Sequence, residues 1–158
     1  MPNHPSKEES LVNDLKQKME NKVNSLDSKP KRIIIQVDVK NIIEIAKTAK
    51  DMGFDQVISV AGTDYPEDDQ LEVIYHIASL SDSKFRDIVL SISARLPRSD
   101  PKIPTLFPIW KSCDWHERET HEMLGIEFDG HPDLGRVLLP EDWNEIPPLR
   151  KDYVLPGR

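Results

Sequence analysis

The chain has 158 residues, enough for one compact domain with a tail and too few for two full cores. Twenty-one Lys and Arg against 28 Asp and Glu give a net charge of −7, so nucleic acid is excluded as a default partner, because phosphate binding needs a basic surface. Mean hydropathy is −0.54, and no apolar run approaches the roughly 20 residues of a membrane span. The N-terminus, MPNHPSKEES, has no apolar stretch behind its charges, so no secretory leader is expected and the chain should remain on the cytoplasmic side.

In chain order, Ser6 with Glu9 forms a capping-box signature, and Leu11, Leu15, Met19 and Val23 follow at spacings of four as the stripe of a first helix. Lys29–Pro30 ends it. Ile33, Ile34, Ile35 and Val37 make a β-branched strand. Asp38 is placed to cap a second helix with Ile42, Ile45, Ala46 and Ala49 on one face and Gly53 as its stop. Val57 to Ala61 reads as a short buried strand. Leu71 to Ile77 and Ile88 to Leu96 alternate strictly, and the Ser81-Asp82-Ser83 cluster between them predicts a hairpin. Asp64, Glu67, Asp68 and Asp69 read as a solvated acidic turn, not a calcium loop.

Nine of the 13 prolines lie from Pro97 onward. The expected division is therefore an α+β body over 1–96 and a proline-rich arm over 97–158, with a helix at about 114–124. The body is a mixed β-sheet covered by helices, with a helical crossover that would let the first two strands run parallel. The long extended C-terminal arm, irregular apart from that one short helix, implies function or a partner.

The arm holds the densest polar constellation, Cys113-Asp-Trp-His-Glu-Arg-Glu-Thr-His-Glu-Met-Leu-Gly125. Asp114 with Glu117 predicts a helix cap and Gly125 its end. A zinc-protease reading fails on spacing: His116 and His121 are five apart, about 140° around a helix, where chelation needs four. A third ligand would have to fold back, as His131 could, so a stand-alone metal hydrolase is only a remote alternative. Two accounts of the charges remain open. Arg118 with Glu122, and Glu117 with His121, could pair within the helix at i, i+4; or a helix so polar, with only Trp115, Met123 and Leu124 to dock it, meets a partner. His131, before Pro132, reads as a turn residue. The bulky Trp143, Leu149 and Tyr153 among prolines suggest a strap for another protein's groove. The single cysteine cannot hold an iron–sulfur cluster, and there is no Gly-rich phosphate loop.

Trp115 to Trp143 and Pro148 to Tyr153 resemble the C subunit, also called the 30-kDa subunit, of respiratory complex I, NADH:quinone oxidoreductase. Glu117 to Pro132 match the family signature E-R-E-x-x-D-M-[FL]-G-I-x-F-x-G-H-P nearly position for position, and Asp64-Tyr65-Pro66, Val73 to His76 and Ile103-Pro104-Thr105 match further segments. Departures at Glu122, Leu124, Gly135 and Asn144–Pro147 point to a divergent, archaeal branch.

The resemblance implies a non-redox peripheral-arm subunit with no active site and no cofactor of its own. It would lie on the cytoplasmic side of the membrane, touching the membrane only through the complex. It would scaffold the D-subunit homologue beside the quinone site, with iron–sulfur clusters and quinone in partner subunits, and the donor NADH, F420H2 or ferredoxin. The homologous scaffold of an energy-converting hydrogenase is the runner-up. The expected partner-binding residues are Trp115, Glu117, Arg118, Glu119, Glu122, His131, Pro132, Trp143, Leu149, Arg150, Lys151, Asp152 and Tyr153. Arg118 and Arg150 would pair with carboxylates of the partner or of the arm, leaving the melting of the body indifferent to their loss.

Overall fold

A computed structural model describes residues 7–19, 21–155 and 157. Its order is α1 (Lys7–Lys18), β1 (Val23–Lys29), β2 (Arg32–Val37), α2 (Ile42–Asp51), β3 (Gln56–Tyr65), β4 (Gln70–Ala78), β5 (Val89–Pro97), β6 (Lys102–Pro104), α3 (Asp114–Leu124) and β7 (Glu127–Asp129). This is the expected α+β class with a mixed sheet. Among the described residues no helix is long and apolar enough to cross a membrane.

The first helix is shorter than its stripe implies. Leu11, Leu15 and Met19 are buried as expected, but Val23 opens β1, a strand the sequence reading missed. The segment VNSLDSK is mostly exposed, so it carries none of the alternation that betrays a strand, and its existence comes from pairing with β2. Lys29–Pro30 is a hairpin corner, with Lys31 at φ 61°. The expected cap at Ser6 lies outside the described residues. Asp38 precedes a 3-10 turn, Val39–Asn41, without capping it; its carboxylate accepts the Asn24 side-chain N–H at 2.9 Å instead. Gly53, at φ 104°, ends α2 as expected, its N–H donating to Lys50 O at 2.9 Å.

The sheet order is β1-β2-β5-β4-β3. The expected hairpin is β4–β5, antiparallel. The parallel pair, however, is β2 with β5, not β2 with β3. The chain crosses through α2 to the far edge, and the β3-β4-β5 meander then walks back until β5 lies beside β2. Strand β3 runs in the same sense as β2, with β5 and β4 between them.

Register lines the core up in rows across four strands: Ile33-Leu90-Ile77-Val57, Ile35-Ile92-Tyr75-Val60, and Val37-Ala94-Val73-Gly62. A fourth row, Leu96-Leu71, ends on Asp64. The third row ends in Gly62 at the β3 edge, and that is where α3 rests. A Cβ on Gly62 would stand 2.1 Å from Leu124 Cδ1 and 3.3 Å from Thr120 Cγ2. The absent side chain is the notch that seats the helix.

The boundary expected at Pro97 has no counterpart in this packing. Ile103, Leu106, Trp110, Cys113, Leu124, Ile126 and Phe128 are buried in the same cluster as the sheet residues. Strand β6 pairs in parallel with β7, and Trp110 donates its indole N–H to Phe54 O at 2.9 Å. Prolines punctuate this region without detaching it, because buried residues adjoin them, Ile103 and Thr105 beside Pro104 and Ile109 beside Pro108. After Gly130 the described residues form turns and bends without helix or strand.

Gly62→Ala should therefore destabilise the protein by about 1–3 kcal/mol through overpacking against Leu124. A second change, Leu124→Val, should restore part of the loss. Thermal unfolding of the single and double variants measures both, and full additivity would mean that the notch does not seat α3.

Candidate functional site

Helix α3 spans the 11 residues expected and stops at Gly125, which takes φ 75° and donates its N–H to His121 O at 2.8 Å. The expected capping box does not form. The residue before the helix is Cys113, with no side-chain cap, while Asp114 and Glu117 are engaged elsewhere. Nor do the i, i+4 pairs form. Both accounts of the helix charges give way to a third, in which the chain's own segments supply the partners.

Glu117 has no exposed side-chain surface. Its Oε1 accepts the Tyr75 hydroxyl at 2.8 Å and the Leu106 N–H at 2.9 Å, and Oε2 accepts the Thr105 hydroxyl. A buried carboxylate is tolerable only with such donors. They tie α3 to β4 and to the loop after β6. Burial also pushes the Tyr75 hydroxyl pKa well up and, with Glu117 nearby, raises that of the Cys113 thiol, so this cysteine is an inert core residue.

Asp114, Arg118 and Glu122, four apart, form the stripe facing residues 131–139. His131 behaves as the expected turn residue: its Nδ1 accepts the Asp133 N–H at 3.1 Å, which leaves the ring proton on Nε2. That fully buried Nε2 stands 3.3 Å from Asp114 Oδ1 and 3.7 Å from Glu117 Oε2. Arg118 donates to Gly135 O at 3.2 and 3.1 Å, lies 3.6 Å from Asp133 and covers the Trp115 ring at 4.9 Å. Glu122 collects the N–H groups of Val137 at 2.7 Å, Leu138 at 2.9 Å and Leu139 at 3.4 Å.

A clasp closes the remaining chain. Arg150 Nε donates to Leu124 O at 2.7 Å, at the carbonyl end of α3, and Leu149 N to Met123 O at 2.9 Å. Arg98 grips Asp64 through two bonds, 2.8 and 3.1 Å, and reaches Asp152 at 2.7 Å, while Lys151 N donates to Asp64 Oδ2 at 2.8 Å. Asp64 is thus a buried anchor, not the solvated turn residue expected. The Arg98 guanidinium holds its carboxyl below the usual carboxylate range, against burial, with Lys151 N–H adding to the effect. Arg98, Tyr75 and Thr105 were not named as site residues: Tyr75 and Thr105 lie in segments that carry the resemblance, but spacing alone does not mark a residue whose partner lies far along the chain, 34 positions for Arg98 and 42 for Tyr75.

The thirteen residues expected to bind a partner therefore divide. Glu117, Glu122 and His131 are consumed inside the fold, as are Arg118 and Arg150, whose main partners are backbone carbonyls; their loss should lower stability, contrary to expectation. Trp143 and Tyr153 are half-buried against each other, with ring centroids 5.8 Å apart. Trp115, Glu119, Pro132, Leu149, Lys151 and Asp152 are exposed, Trp115 by 63% and Leu149 by 59%. Leu138, Ile146, Val154 and Leu155 are exposed apolar residues outside those thirteen. No group of three or more His, Cys, Asp or Glu converges on a point among the described residues, so His116, His121 and His131 do not form one.

Asp64→Asn should cost about 1.5–3 kcal/mol by weakening a charged hydrogen-bonded pair. Because the Asp64 pKa is lowered on folding, its contribution is present above the unfolded value of about 4 and is lost as pH falls through the folded value. Amide exchange at Lys151 should accordingly be slow at pH 7 in the parent and accelerate in Asp64→Asn; in the parent, protection corrected for intrinsic rates should fall below about pH 4.

The model of the respiratory-chain NADH dehydrogenase 30 Kd subunit matches residues 35–158. The chain is 42% identical over 125 residues to the C subunit of F(420)H(2) dehydrogenase from Methanosarcina mazei, covering 78% of this chain and 77% of the relative. It is 39% identical over 126 residues to the C subunit of NADH-quinone oxidoreductase from Mycolicibacterium smegmatis, where the match takes in 78% of this chain but only about half, 51%, of that longer protein. Among solved structures, a trypsin-resistant fragment of Nqo5 superposes with TM-score 0.67 at 25% identity, over 80% of this chain and 98% of the fragment. This chain belongs to the 30-kDa subunit family of the respiratory-chain NADH dehydrogenase.

Proposed function

We propose that this chain is a non-redox scaffold of a complex I-type oxidoreductase. It holds the D-subunit homologue and neighbouring iron–sulfur subunits on the cytoplasmic side of the membrane, and the clusters and quinone belong to those partners. The supporting observation is the division of labour on α3 and residues 131–155. Every charge needed to fold this region is met internally, yet Trp115, Leu138, Ile146, Leu149, Val154 and Leu155 remain outward. A surface that is internally braced and externally apolar is organised for association, because a partner gains burial without having to order the chain. In the two relatives named above the electron donor differs, F420H2 in one and NADH in the other, while the subunit type is shared. Donor chemistry then belongs to other subunits.

The test separates folding from assembly. Leu149→Asp alters an exposed side chain and should change stability by no more than about 0.5 kcal/mol. It should lower affinity for the co-expressed D-subunit homologue at least tenfold and reduce quinone reductase activity of the complex in proportion. Arg150→Ala should lower both the melting temperature and assembly. A Leu149→Asp chain that assembles normally would sink the docking surface; one that assembles but fails to turn over would point to a direct catalytic role.

A further inference from the structure

The net charge of −7 is not spread along the chain. Residues 114–155 hold 11 Asp and Glu against four Lys and Arg, while the rest of the chain balances at 17 of each. The whole excess therefore lies in α3 and the segment braced on it. Folding uses part of it, since Glu117 and Glu122 are buried acceptors. Asp133 lies beside Arg118 and Asp152 beside Arg98, Asp114 faces His131, and Glu127 stands 3.8 Å from His121. Glu119, Glu141 and Asp142 are exposed, and none of them meets a hydrogen-bond donor or a cation among the described residues. The cations of the segment are committed elsewhere: Arg118, Arg136 and Arg150 each hold backbone carbonyls.

These carboxylates lie among the outward apolar residues. Glu119 is one helical turn on from Trp115. Glu141 and Asp142 belong to the loop whose carbonyls Arg136 gathers, just beyond exposed Leu138. Glu145 takes the Tyr153 hydroxyl, which sets this loop beside the residues that precede Val154 and Leu155. No group of three or more His, Cys, Asp or Glu converges on a point among the described residues, so the charge forms an extended field and not a cage for one cation. A field of one sign around apolar contacts selects a surface of the opposite sign. Exposed ion pairs are worth little in affinity, so the field acts chiefly on the rate of encounter and on the choice of partner.

We propose that the surface of the D-subunit homologue covering this region is basic, with Lys or Arg placed around its apolar contacts. Glu119, Glu141 and Asp142 steer the two chains together, and Trp115, Leu138 and Leu149 hold them. The proposal rests on the scaffold reading and deepens it by assigning the chemistry of the partner's face.

The test follows association and dissociation rates of the full-length chain with the purified D-subunit homologue encoded in the same genome. Raising NaCl from about 20 mM to about 500 mM should slow association about tenfold or more and change dissociation by less than about twofold. The triple variant Glu119→Gln, Glu141→Gln, Asp142→Asn should associate about five- to tenfold more slowly at low salt, with a flattened salt dependence. Its melting temperature should not fall, because no internal partner is lost. A control that changes net charge equally, Asp27→Asn, Asp51→Asn, Asp87→Asn, alters exposed residues of β1, α2 and the β4–β5 connection and should stay within about twofold of the parent. Leu149→Asp should raise the dissociation rate without slowing association, since it removes an apolar contact and adds to the attractive field. Association indifferent to salt and to the triple variant, alongside weakened binding in Leu149→Asp, would overturn the basic face and keep the docking surface. Faster association in the triple variant or at high salt would overturn it too, as would equal slowing in the control. A parent chain that does not bind would overturn both readings.

Discussion

A carboxylate with no exposed surface, Glu117, decides how the second half of this chain is arranged. Desolvating that group is affordable only where donors are already in place, and Tyr75, Thr105 and the Leu106 amide come from two different parts of the fold. Satisfying it brings α3 over strands β3 and β4 and fixes the loop that follows β6. The Gly62 notch then sets how closely the helix lies, so polar satisfaction and steric fit select one position together.

From that position the rest of the irregular chain follows. The Asp114–Arg118–Glu122 stripe is presented to residues 131–139, and the carbonyl end of α3 is presented to Arg150. Because segments without regular structure have backbone groups to satisfy, one carboxylate such as Glu122 can organise three residues at once. Asp64 does the same at the far end of the sheet, where a core row ends in a charge and the Arg98–Asp152 pair closes over it. The tail is thereby ordered without helix or strand. Its bulky side chains are left facing outward, the property on which an assembly role rests.

Alternation and helical spacing made α2, β2, β4 and β5 readable, since each of these sets its apolar side chains on one face against a common core. Strand β1 was not readable because its exposed residues have no reason to alternate, and the β2–β5 pairing was not because neighbours in a sheet need not be neighbours in sequence. Proline density misled at Pro97: it marks where regular hydrogen bonding stops, whereas core membership depends on burial of residues such as Ile103 and Phe128.

By itself the sequence determined the fold class, the extent of α3 and, through the run from Glu117 to Pro132, the family, because periodicity and motif are local properties of the chain. Only the tertiary structure decided what the charged residues of that run do. Glu117, Arg118, Glu122 and Arg150 carry the same charges whether they face a partner or their own fold. The difference lies in donors and acceptors up to 42 positions away for Glu117 and 52 for Arg150, which come within reach only when the sheet is built.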